Sequence, residues 1–337
     1  MIPISGLSPE ELAAELRLGE PFRGRQIFRW LHRRGVTDFA AMSDLPEPLR
    51  ARLAGEASCL TLEVAGTLQD PDGTLKLRLE LADGAGVEAV VLADERGRLT
   101  ACLSTQVGCA MGCFFCRTGQ LGLQRNLAAH EIVEQFLLAR QRAATVDNVV
   151  FMGMGEPLAN LAELGRAVRV LTAREGAGLS ARRVTVSTCG LADGIRRLAA
   201  ELPGVRLAVS LITADPDLRE RLMPVARANP LPELRRALED YQRLAGKRFT
   251  LEVVLLEGLN DRPEDVQRLI GFLRDGPPLK AMVNLIPWNP VPGMPYRRPA
   301  PARVAWFARE LAQARVPVST RTPRGSAVAG ACGQLGG

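Results

Sequence analysis

Three cysteines fall within eight residues, as Cys109-Ala-Met-Gly-Cys113-Phe-Phe-Cys116. Thiolates this close on one loop can converge on a soft metal or an iron–sulfur cluster. Three protein ligands leave one iron of a [4Fe–4S] cube open, which is what a chelating cofactor requires. The competing reading is zinc, which normally takes four ligands and usually shows a second Cys or His pair. The two histidines, His32 and His130, stand in no paired spacing. The seven cysteines (59, 102, 109, 113, 116, 189 and 332) are an odd number. In a reducing compartment such a cluster reads as metal-binding or catalytic rather than as a disulfide framework.

Other polar groups fall where strands should end. The run Phe151-Met-Gly153-Met-Gly155-Glu156-Pro157 sets two glycines and a carboxylate after a candidate strand. Glycine lets the backbone approach a ligand, and Glu156 can accept from an ammonium. A tight turn opening a helix would also explain the glycines. Ser187, Ser210 and Asn289 occupy similar places, and each alone would be an ordinary cap or turn residue. Cys102 precedes the cluster by seven residues, and Cys332 lies in the Gly-rich tail Gly330-Ala-Cys332-Gly333. Both could be small hydrophobes, although such a tail gives a thiol little reason to be buried. Cys59 and Cys189 are expected to be structural.

These groups need a frame. From about residue 100 the pattern alternates strand and helix. Strands are expected at 100–104, 148–152, 183–187, 206–211, 250–255 and 281–287, with helices at 128–142, 161–173, 192–200, 232–245 and 263–273. Six strands alternating with helices predict an α/β fold, a parallel sheet in an open, partial (β/α)6 barrel, with its site at the C-terminal strand ends. Leu75-Lys-Leu-Arg-Leu-Glu-Leu81 alternates with period two, as a half-buried strand should. Val87–Leu92 predicts another strand. Residues 1–58 read as a small helical accessory module. Ser8 with Pro9-Glu-Glu marks a helix start, a second helix is expected over 22–34 and a third over 45–53. The expected division is 1–58 helical, 59–99 β-hairpin extension, 100–320 barrel and 321–337 a mobile tail.

The 337 residues carry a net charge of +6, almost all of it through Arg, with Lys only at 76, 247 and 280. Arg binds phosphate bidentately and stacks on bases, so a polyanionic partner is compatible, as is the composition of a GC-rich genome. No apolar stretch approaches the ~18–20 residues of a membrane span, and nothing resembles a signal peptide. A cytoplasmic monomer without membrane association is expected.

The C-x3-C-x2-C triplet after a first barrel strand resembles the radical-SAM signature. The longer string from Gln106 through Arg117-Thr-Gly, with Gln124-Arg-Asn-Leu127, resembles the RlmN/Cfr family of RNA adenine methyltransferases. Gly19-Glu-Pro-Phe-Arg-Gly-Arg-Gln-Ile-Phe-Arg-Trp-Leu31 resembles that family's accessory domain, and Arg321-Thr-Pro-Arg-Gly325 through Leu335 its C-terminal motif. The resemblance implies one [4Fe–4S] cluster per chain on Cys109, Cys113 and Cys116. It implies two S-adenosyl-L-methionine (SAM) molecules per turnover, contacted by Gly155, Glu156, Ser187, Ser210, Leu211, Ile212 and Asn289. It also implies an RNA substrate and reduction by a flavodoxin or ferredoxin. Cys332 would be the methylated cysteine, Cys102 the thiol that resolves the protein–RNA adduct through a disulfide, and Glu88 the proton-accepting carboxylate. The expected product is a C2-methyladenine, at adenosine 2503 of 23S rRNA and also in tRNA. C8 methylation or another RNA position is the alternative, followed by other radical chemistry or a non-catalytic RNA-binding protein. The family commonly has Ser-Leu-His-Ala where this chain has Ser210-Leu-Ile-Thr213.

Overall fold

The computed structural model describes residues 1–143 and 145–337. One ten-stranded sheet organises the chain, and its strands lie side by side in sequence order. The first four, β1 (Glu63–Gln69), β2 (Leu75–Glu80), β3 (Gly86–Ala93) and β4 (Leu99–Cys102), form an antiparallel meander. From β4 onward every pairing is parallel, through β5 (Asn148–Phe151), β6 (Val184–Thr188), β7 (Arg206–Ser210), β8 (Phe249–Leu255), β9 (Ala281–Pro287) and β10 (Val318–Thr320). The segment expected as a hairpin is therefore a three-stranded meander continuous with the parallel sheet.

The six expected parallel strands are present, shifted at their ends by one or two residues. β10 was not expected. It follows a helix over Pro301–Gln313 and is three residues long, too short to show a period. The crossover helices are α1 (Ala129–Ala143), α2 (Leu161–Thr172), α3 (Ala192–Glu201), α4 (Leu231–Ala245) and α5 (Pro263–Arg274). Each buries an apolar stripe on the sheet, as parallel strands require.

In β2 and β3 the alternation sorts two faces. Leu77, Leu79, Val87, Ala89 and Val91 are buried in the main core. Lys76 and Glu88 occupy the opposite face, yet both are also buried, because the C-terminal tail covers them. In the N-terminal module the helix expected over 22–34 is α-helical only over Pro21–Phe28. It continues as a π-turn at Arg29–Arg33, with Arg34 N–H donating to the Arg29 carbonyl. No helix among the described residues is long and apolar enough to cross a membrane.

Candidate active site

The C-terminal ends of the parallel strands open on one cavity. Its wall holds Cys109, Cys113 and Cys116, Gly155 and Glu156 after β5, Ser187 in β6, Ser210 ending β7, and Ile212 and Asn289 beyond their strands. Leu211 differs from expectation. Its side chain packs in the main core and does not line this cavity, while its carbonyl accepts from Arg219 Nε at 3.2 Å. Adjacent residues at a strand end face opposite ways, so Ser210 and Ile212 share the cavity and Leu211 cannot.

The two glycines answer to the chain itself. A Cβ on Gly155, whose φ is +101°, would meet Gln106 Cβ at 2.5 Å, and one on Gly153 would meet the Leu103 carbonyl at 2.7 Å. Gln106 Oε1 in turn accepts from Glu156 N–H at 2.8 Å. This packing fixes Glu156, whose Oε1 accepts from Leu158 N–H at 3.0 Å and whose Oε2 accepts from Cys189 N–H at 2.7 Å. Burial raises its pKa, and these bonds counter the shift.

Cys189, expected to be merely structural, also lines the cavity. Its carbonyl accepts from Arg219 Nη2 at 2.8 Å, and Arg219 Nη1 reaches the Asn229 carbonyl at 3.2 Å. The buried guanidinium thus ties the turns after β6 and β7. Ile212 has φ +65°, a region rare for β-branched residues and better tolerated by Asn, Asp or His. Its amide donates to the Glu252 carbonyl, and its own carbonyl accepts from Asn260 Nδ2 at 2.9 Å. The departure from the Ser-Leu-His-Ala pattern therefore sits on a strained backbone.

Burial pushes the Cys109 thiol up to about 11 and raises Cys113 and Cys116 as well; neighbouring thiols add to each. Three thiolates here are costly unless a cationic group shares the site. Among the described residues no group of three or more His, Cys, Asp or Glu converges on a single-ion site. A cube takes one thiolate per iron, spread over its corners, so this donor set fits an iron–sulfur cluster.

A second, larger cleft of about 610 Å³ adjoins the first. That is within the ~300–1,000 Å³ of ordinary ligand sites. Arg96, Arg98, Arg321 and Arg324 line it, with Cys102 at the end of β4. Cys332, Arg321, Asn289, Met152 and Ile286 belong to both cavities. Arg321 Nη1 lies 3.4 Å from Cys332 Sγ. The Cys332 thiol therefore borders both the cluster side and the arginine-lined side.

The tail is held along its length. Gly325 N–H donates to Asp72 and Ala327 N–H to Asp70, both at 2.8 Å. Asn289 Nδ2 donates to the Cys332 carbonyl at 3.0 Å, Arg117 N–H to Gly333 at 2.8 Å and Thr118 Oγ1 to Leu335 at 2.7 Å. Glu88 lines neither cavity. It sits beneath the tail, with Lys76 Nζ 2.8 Å from Oε1 and Gly336 N–H donating to Oε2 at 2.8 Å. Lys76, Arg321 and Arg219 were not expected as site residues. The rarity of Lys in an Arg-rich chain was the available signal for the first.

Comparison with known proteins agrees with this geometry. Residues 103–272 match the Radical SAM superfamily, and residues 4–59 match the ribosomal RNA large subunit methyltransferase N-terminal domain. A probable dual-specificity RNA methyltransferase RlmN from Treponema pallidum is 50% identical over 333 residues, covering 99% of this chain and 97% of the relative. The corresponding protein of Moorella thermoacetica is 47% identical, with the same coverage. The crystal structure of a radical SAM methyltransferase from Sphaerobacter thermophilus superposes with a TM-score of 0.95, at 41% identity and 99% coverage of both chains. The superfamily implies a [4Fe–4S] cluster and SAM. The chain belongs to the RlmN family of radical SAM RNA methyltransferases.

Proposed function

We propose that this RNA methyltransferase places its methyl group on C2 of an adenine, at adenosine 2503 of 23S rRNA and in tRNA, by way of a methylated Cys332. The observation that carries the proposal is the position of Cys332 Sγ on both cavities, with Cys102 on the outer one. A carrier thiol must meet a methyl donor on one side and a base on the other.

Cys109, Cys113 and Cys116 would hold the cluster, which with SAM supplies the carbon radical chemistry. The chain's own residues do the rest. Glu156 and the turns after β6, β7 and β9 bind the donor. Arg321 orients the Cys332 sulfur through its 3.4 Å contact. The arginine-lined cleft receives an unstacked base. Once the ring carbon is bonded to the carbon carried on Cys332, and the unpaired electron left by that addition has passed back to the group that Cys109, Cys113 and Cys116 would hold, Glu88 takes the ring proton. Cys102 then attacks the Cys332 sulfur. The S–S bond forms, the S–C bond breaks, its electron pair passes to the departing carbon, and a proton taken up there completes the methyl group. The tail has to leave its docked position during this sequence, as its glycines allow.

Mass spectrometry of rRNA and tRNA nucleosides from cells with and without the gene tests the proposal. Loss of 2-methyladenosine is expected, whereas loss of 8-methyladenosine or no change would overturn the C2 assignment. Cys102→Ala is expected to leave protein trapped on RNA through Cys332, and free turnover product from that variant would contradict the resolving role.

A further inference from the structure

Lys76 is one of only three lysines in the chain, and it is 3% exposed on a strand that precedes the barrel. Its ammonium contacts two things. Nζ lies 2.8 Å from Glu88 Oε1 and donates to the Ala329 carbonyl at 3.1 Å. The other Glu88 oxygen accepts from Gly336 N–H. The ion pair thus holds the tail on both sides of Cys332, three residues before it and four after. Glu88 itself is 5% exposed, and its carbonyl is fixed by Ser104 Oγ at 2.6 Å.

Beneath the docked tail Glu88 lines neither cavity, and its two oxygens face Lys76 and the Gly336 amide, so a substrate ring has no access to them. Oε2 becomes free only when the Gly336 amide withdraws, which needs movement of the tail. The charged form must survive that withdrawal in a buried place, and an opposite charge within contact is what preserves it. An apolar side chain would have sufficed for packing, and an amide would have sufficed to hold Ala329.

We propose that Lys76 is a positioning residue for adduct resolution, keeping Glu88 charged and aimed while the tail hands Oε2 from the Gly336 amide to the substrate ring. This rests on the reading of Glu88 as proton acceptor. In the step concerned, a C–H bond of the ring breaks and an O–H bond forms on Glu88. The C–H electron pair stays in the ring, and nothing is oxidised or reduced at the protein. Lys76 keeps its proton throughout.

The test separates the steps in the reconstituted full-length enzyme with an RNA substrate. Methylation of Cys332 is read by intact-protein mass spectrometry, and the protein–RNA adduct by denaturing gel. Lys76→Met is expected to methylate Cys332 within about twofold of wild type yet resolve the adduct at least about tenfold more slowly, the scale of losing an adjacent opposite charge. Lys76→Arg keeps the cation and is expected to recover most of the lost rate; it also carries the test if the Met variant does not fold. Resolution at the wild-type rate in Lys76→Met would overturn the proposal. So would equal loss of methylation and resolution in both variants, which marks a packing role. Glu88→Gln tells the two readings apart. If it resolves the adduct normally, the proton-acceptor reading falls. If it stalls while Lys76→Met does not, only the role of Lys76 falls.

Discussion

The thiol of Cys102 is the group whose chemistry the structure most restricts. Burial pushes it up to about 12, with the nearby Cys332 adding to the rise and Arg321 opposing it. The increase over the ordinary value of 9.0 is about three units, or about 4 kcal/mol against the thiolate. Near pH 8 an ordinary thiol of that starting value is roughly one-tenth ionised, and Cys102 only about one part in ten thousand. Thiolate is the reactive species, so alkylation of Cys102 by iodoacetamide is expected to run about a thousandfold below a free thiol. The decisive quantity is the slope. In a Cys332→Ser background, quantified by peptide mass spectrometry, the Cys102 rate should climb about tenfold per pH unit through pH 9 and up to about pH 11. A rate that levels off near pH 9 would refute the reasoning. A rate flat with pH would refute it too, because opening of the fold would then be limiting. The same shift gives a stability consequence of definite sign. A raised folded pKa favours the native state below the unfolded value and loses that contribution as pH rises through the folded one. The contribution of Cys102 is therefore complete below about pH 9 and spent by about pH 12.

Further outcomes are expected elsewhere. Cys59, also pushed up to about 12 by burial and then by Glu134 and Asp38, should make the protein lose stability between about pH 9 and 12. Cys59→Ala should flatten that fall in thermal melts across the range. Gly155→Ala forces a Cβ into Gln106 at positive φ, which costs about 2–5 kcal/mol of strain and overlap together. It should lower the melting temperature and weaken SAM binding measured by calorimetry, and wild-type values in both would show that the turn relaxes freely. Arg219→Met leaves three backbone carbonyls without their buried donor, at about 1–3 kcal/mol each at most. Its expected signature is loss of SAM affinity alongside lowered stability, checked by the same two measurements.

Much of the fold was legible because the periods were clean. Leu75–Leu81 alternates and sits in the sheet as the alternation requires, and the barrel strands fall between helices with strong apolar stripes. The edge strand Val318–Thr320 was not legible, since three residues carry no period. Individual site residues were harder. Cys109, Cys113 and Cys116 announce themselves by spacing, and the cavity gathers them with Glu156, Ser187 and Ser210. The side chain of Leu211 faces the core rather than the cavity, which a three-residue string does not reveal. Asn289 now holds the tail carbonyl of Cys332, a contact between residues 43 apart. Lys76 and Glu88 sit twelve apart on paired strands, as diagonal neighbours on one face, and are buried only because a segment from the far end of the chain closes over them. No local pattern encodes that.

The match to the Radical SAM superfamily covers residues 103–272. Cys102 ends one residue before it, Glu88 and Lys76 lie upstream, and Arg321 and Cys332 lie downstream. The groups proposed to carry and release the methyl carbon are thus supplied by two flanks wrapped onto a barrel shared with other chemistries. The flanks touch each other through Asp70, Asp72, Lys76 and Glu88. A chimera that exchanged one flank alone would therefore lose its seat for the tail, so the two would have to be inherited, or engineered, as a matched set.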